Sequence, residues 1–238
     1  MTTSTSPHNL DPQKIYEFFC ADFQSAWDAL AARSTEEALG RGNFMFARSA
    51  MGLLEFASRL CSADTSGQAL TDFSSELQKV EPRYFATLPT AGPRPGSKDG
   101  WTLPHAAASP PEEQLLGALF TLVRHGQAHQ GQQTMAVLSD GSTFGVSLTG
   151  VLGRTLGEVK AGPRSKQHLR INALDSRATW ITLSPDVLFL DVQTAMEQAK
   201  VLDRGLVFRY LSLDLPFERE TLRAALAAAG LRGVNEEP

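Results

Sequence analysis

The segment FTLVRHGQAHQ, residues 120–130, gathers the side chains best suited to chemistry. Arg124 is a permanent cation that grips a phosphate through two N–H donors at once. His125 and His129 carry imidazoles, whose ordinary pKa suits proton transfer near neutrality. Gln127 adds an uncharged amide that donates and accepts hydrogen bonds. On a helix each residue turns the direction by about 100°. Arg124, His125, Ala128 and His129 then fall on one side, opposite Leu115, Leu116, Leu119, Phe120, Leu122, Val123 and Gly126. Ala128 leaves room on the polar arc for a phosphate or a partner helix. The plainer reading of the same letters is a solvated helix end, because Arg and His near a helix C-terminus complement the dipole.

The elements that must position this arc are legible as patterns. Ser109-Pro-Pro-Glu-Glu opens a helix with acidic residues in its first turn, and that helix runs to about Gln130. Before it, residues 89–111 are rich in Pro, Gly and Ser and read as a long loop. Residues 11 to about 32 form a helix capped at Asp11-Pro12, with Ile15, Phe18, Phe19, Phe23, Trp27 and Leu30 as its apolar stripe. Residues 43–62 form a second helix, apolar enough to be central, with Glu55 in its middle. A weaker helix covers 67–80, and residues 1–10 are expected to be loose.

After the motif the period changes. Residues 134–138 and 143–148 flank Asp140-Gly141, a strong hairpin signal, and 168–174 with 178–183 form a second hairpin. Ser184-Pro185-Asp186 caps a helix from about 186 to 202, residues 206–212 are a short strand or linker, and a last helix lies near 216–229. The expected fold is α+β and mainly α. It is a helical bundle with a small antiparallel β-hairpin sheet inserted C-terminal to the motif helix, all within one domain over 1–238.

Bulk properties narrow the functions. A net charge of −4 argues against a protein that coats nucleic acid over its whole surface. A local patch remains: Arg154, Lys160, Arg164, Lys166 and Arg170 face only Glu158 between residues 154 and 170, a run able to track a phosphate backbone or to be a solvated loop. Trp180 reads as a core residue or a stacking surface for a base. Cys20 and Cys61 stand in helix-like apolar stretches and make neither a zinc site nor a disulfide framework. The N-terminal residues show no secretory pattern and no run is long enough to span a bilayer, so a cytoplasmic protein without membrane contact is expected. The common nucleotide-binding loop, zinc-protease and nucleophile-elbow motifs are missing from the sequence, and no metal or cofactor is expected.

Two families share letters with this segment. LVRHGQ resembles the opening motif of the histidine phosphatases, in which His125 would be the nucleophile and Arg124 would hold the phosphoryl oxygens. That motif follows the first strand of an α/β sheet, whereas here a capped helix precedes it. His168, in SKQHLR, does not resemble that family's second histidine. Arg124, four residues, then His129 resembles the signature of the HEPN superfamily, helical bundles with the motif near the end of a long helix. The residue after the arginine is His125 here, where Asn is more usual, and the hairpins exceed what a minimal bundle requires. The resemblance covers residues about 43–130. It implies a metal-independent endoribonuclease or an RNA- or nucleotide-binding module. Arg124 would hold the phosphate, His129 would move the proton, and His125 and Gln127 would add hydrogen bonds. It further implies a homodimer whose two motifs share a cleft, and a protein partner such as an antitoxin. A non-catalytic dimerising scaffold is the alternative within the same fold.

Overall fold

The computed structural model describes residues 9–31, 43–87, 114–120, 122–123, 136–137, 141–149, 154–163, 166–175, 178–209 and 219–228. β1 (Asn9–Leu10) leads into α1 (Pro12–Ala31), whose start is capped by Asp11 Oδ1 accepting the Gln13 N–H at 3.0 Å. α2 (Asn43–Cys61) and α3 (Gln68–Val80) follow, then a 3-10 turn over Pro82–Phe85. α4 (Leu115–Phe120) precedes a π-type turn at 122–123. It begins later than the acidic residues suggested, because Gln114 is held in a β-bridge with Thr87. The loop expected at 89–111 lies outside the described residues.

The sheet comes next: β2 (Ala136–Val137), β3 (Thr143–Leu148), α5 (Leu156–Ala161), β4 (Arg170–Asp175) and β5 (Ala178–Leu183). α6 (Pro185–Gln198), a 3-10 turn at Leu202–Arg204, β6 (Phe208–Arg209) and α7 (Arg219–Ala228) are the last of the described elements. The fold is α+β and mainly α, as the patterns implied.

Both expected hairpins form, but the sheet they share is mixed. Its order is β2-β3-β5-β4, and β3 runs parallel to β5. A parallel pair needs a long crossover. The segment carrying α5 and β4 supplies it, sending β4 to the edge and bringing β5 back beside β3. α5 itself was not anticipated in the basic stretch. It starts with a complete capping box, in which the Thr155 side chain accepts from Glu158 N–H and the Glu158 carboxylate accepts from Thr155 N–H. A second correction concerns the N-terminus: Asn9 and Leu10 are not loose but pair antiparallel with Arg209 and Phe208.

α6 is the axis of the core. Every residue from Pro185 through Val192 is buried, and the helix packs on α2, α3 and α5. It ends at Gln198, short of the expected 202, where Arg204 Nη2 donates to the Ala199 carbonyl at 2.9 Å and pairs with Asp72 of α3 at 2.6 Å. Phe189 stacks on Phe23 of α1, with ring centroids 3.8 Å apart and planes within 8°. Phe46 of α2 meets Phe23 and Trp27 edge-on at 5.3 and 5.0 Å. α1 also holds α5: Trp27 Nε1 donates to the Arg154 carbonyl at 3.0 Å, and Asp28 Oδ1 accepts the Leu156 N–H at 2.9 Å.

Across the parallel pair Gly145 faces Trp180. A Cβ at Gly145 would sit 2.6 Å from Trp180 Cζ3, so the glycine is there to receive the indole. Gly145→Ala is expected to destabilise the fold by about 1–3 kcal/mol through overpacking, read as a lower urea midpoint with an unchanged slope.

Candidate functional site

The helix that leads into Arg124 is built almost entirely of buried residues. Leu115, Leu116, Gly117, Ala118, Leu119 and Phe120 are all buried in α4, and Leu122 and Val123 are 2% and 1% exposed. The start of α4 is tied to the 3-10 turn beneath it by Leu115 N–H donating to the Ala86 carbonyl at 2.9 Å. That turn carries Tyr84. Whatever fixes Tyr84 therefore fixes the helix running up to the motif.

Tyr84 is fixed by a buried polar chain. Its hydroxyl donates to Asp191 Oδ2 at 2.9 Å and lies 2.9 Å from His168 Nε2. Tyr84 and His168 are 0% exposed and Asp191 is 6% exposed. The backbone N–H of Ser184 points at His168 Nδ1 at 3.2 Å, and an N–H can only donate. Nδ1 is thus the accepting nitrogen, and the ring is the neutral tautomer protonated on Nε2. The proton order follows: Nε2–H to Tyr84 Oη, and Tyr84 O–H to the Asp191 carboxylate.

The backbone around His168 is arranged for this role. Leu169 adopts φ 56, a left-handed conformation that a branched side chain takes only under constraint. Its N–H donates to the Thr182 carbonyl at 2.7 Å, which holds the preceding imidazole inward. Arg83 closes the arrangement, pairing bidentately with buried Glu81 at 2.8 and 2.7 Å and donating to the His168 carbonyl at 3.2 Å. On its outer side Asp191 borders a cavity of ≈ 190 Å³ that is also lined by Lys160 and Thr194.

The sequence-derived candidates fare unequally. Arg124, His125, Gln127 and His129 lie outside the described residues, as does Arg164. Of the other basic residues, Lys160, Lys166 and Arg170 are exposed. Arg154 is turned back on α5, its guanidinium donating to the Glu158 carbonyl, so its side chain is engaged locally. Trp180 lies over Gly145, which accounts for that face of its ring by packing. Glu55 forms an i,i+4 ion pair with Arg59. Both cysteines are free thiols, and burial pushes Cys61 up to about 12. Ser184 stands at the N-cap of α6 without a side-chain cap bond, so the expected cap is one of position only. Among the described residues no group of three or more His, Cys, Asp or Glu is placed to hold a metal ion.

Tyr84, His168 and Asp191 were not singled out as a unit. The signal that pointed to them is the aspartate interrupting the apolar run VLFLDV in α6, since a carboxylate there requires a partner. Compared with protein-family models, with curated proteins and with solved structures, the chain matches none.

Tyr84→Phe removes the donor to Asp191 and the acceptor for His168 in one step. A loss of about 1–3 kcal/mol is expected, measured by denaturant unfolding. In the unaltered protein, nitrogen NMR at neutral pH is expected to show His168 protonated on Nε2; a proton on Nδ1 would contradict the stated order of donors.

Proposed function

We propose that the protein is a HEPN-like, metal-independent endoribonuclease acting where α4 leads into Arg124. The observation that carries the reading is the helical, fully packed state of 115–120 and 122–123. A helix ending in a polar arc is the context the Arg-x4-His signature requires. The histidine phosphatase motif instead requires a strand ending at the arginine, and the residues that immediately precede Arg124 are helical.

In this reading His129 takes the proton of a ribose 2′-hydroxyl. The 2′-oxygen attacks the adjacent phosphorus and the bond to the 5′-oxygen breaks. The 5′-oxygen leaves as a hydroxyl, taking its proton from water, and a 2′,3′-cyclic phosphate remains. Arg124 holds the non-bridging oxygens as charge builds on them. His125 and Gln127 donate hydrogen bonds to the same phosphate. Exposed Lys160, Lys166 and Arg170 offer the flanking backbone a cationic surface. Two copies pair so that two motifs flank one RNA strand, and a protein antagonist covers the cleft when the activity is held silent. No described helix is long and apolar enough to cross a membrane.

The test is RNA cleavage by purified protein in EDTA, with the fragment ends analysed. Cyclic phosphate ends are expected, with His129→Ala slowing cleavage by roughly 10²–10⁴-fold and Arg124→Ala by roughly 10²–10³-fold. Cleavage that survives His129→Ala removes the assigned base. RNA binding without cleavage makes the protein a dimerising binding module, and turnover of a phosphomonoester through a phosphohistidine at His125 restores the phosphatase.

A further inference from the structure

α1 turns Phe23 and Trp27 into the core but leaves an apolar side chain outside: Phe18 is 69% exposed. Beside it on α2, Met45 is 57% exposed. The two border an open groove of ≈ 550 Å³ between α1 and α2, floored by Ile15, Phe19 and Phe46. A large, exposed aromatic next to an apolar trough marks a contact surface.

The charges on the rim say what fits there. Three charged residues line the groove: Asp11 is engaged as the cap of α1, accepting the Gln13 N–H, whereas Lys14 and Asp22 stand one helical turn before and one after Phe18. Among the described residues neither Lys14 nor Asp22 forms an ion pair. A twofold axis through Phe18, perpendicular to α1, reverses the helix direction. It brings Lys14 of each copy opposite Asp22 of the other, forming two ion pairs around two phenylalanines. The face is therefore complementary to itself, as an isologous interface demands. Any other partner would have to reproduce this inverted order of charges.

We infer that the α1–α2 groove is a homodimer interface, with antiparallel α1 helices crossing at Phe18 and each Phe18 ring seated in the groove of the second copy. The inference is argued from α1 and α2 alone and does not rest on the nuclease reading. Its readout is molecular mass, so either can fail without the other.

The test is sedimentation equilibrium of the full chain over micromolar concentrations. The unaltered protein is expected to dimerise reversibly and Phe18→Glu to stay monomeric, its circular dichroism spectrum remaining that of the folded chain because the ring is exposed in a single copy. Lys14→Asp and Asp22→Lys each replace two attractions with two repulsions, and each is expected to weaken self-association by roughly tenfold or more. Two rescues follow from the geometry. The double variant Lys14→Asp/Asp22→Lys dimerises again, and the two single variants, each repelling itself, form a heterodimer when mixed. A monomeric unaltered protein at about 100 μM, far above the micromolar affinities of specific interfaces, overturns the inference and leaves the groove to another occupant. A dimer indifferent to Phe18→Glu, or charge variants without rescue, overturns it equally.

Discussion

A carboxylate sunk into an apolar core must be paired, and Asp191 sets the terms for much of this molecule. Burying an unpaired charge costs several kcal/mol, so α6 can take its central position only with a donor waiting. Tyr84 provides the hydroxyl, and His168 stands behind it as a neutral donor whose other nitrogen is occupied by the Ser184 N–H. Three stretches far apart in sequence are locked by this one chain: the turn after α3, the turn before β4 and the first turns of α6. Because α4 is tied to the first of them through Leu115 and Ala86, the helix approaching the candidate motif inherits its placement from that chain.

α1 shows how much one amphipathic helix can organise. Its inner face stacks on α6 through Phe23 and Phe189. Its end supplies both an indole N–H and a carboxylate to the backbone where α5 begins. That contact determines where Lys160 emerges, and it converts a stretch read as a basic loop into a capped helix. The remaining face carries Phe18, whose ring is left 69% exposed at the edge of the α1–α2 groove.

What the sequence disclosed and what it withheld divide by distance along the chain. α1, α2, α3 and α6 were legible because apolar spacing and Pro or Asp starts are local signals. Both hairpins were legible for the same reason. The parallel pairing of β3 with β5 and the β1–β6 pair depend on segments meeting across long intervals, which no local pattern records. α5 was within reach, since Thr155 and Glu158 stand at capping-box spacing, but the Gly-Pro after it obscured the signal. The candidate chemistry was read from spacing in one short run. The groups that steady its helix, Tyr84, His168 and Asp191, are scattered over three elements and declare themselves only as polar letters in apolar surroundings.

The central place of α6 has a consequence for how the chain comes into being. The apolar faces of α1, α2 and α3 emerge from the ribosome early, while the helix that covers them is encoded from Pro185 onward. At ordinary elongation rates of about 5–20 residues per second, those faces wait roughly ten seconds for their cover. During that interval the nascent chain is a natural client for a chaperone. A product terminated before Pro185 would have the sticky surface of a core without its keystone, and degradation rather than folding would be its usual end.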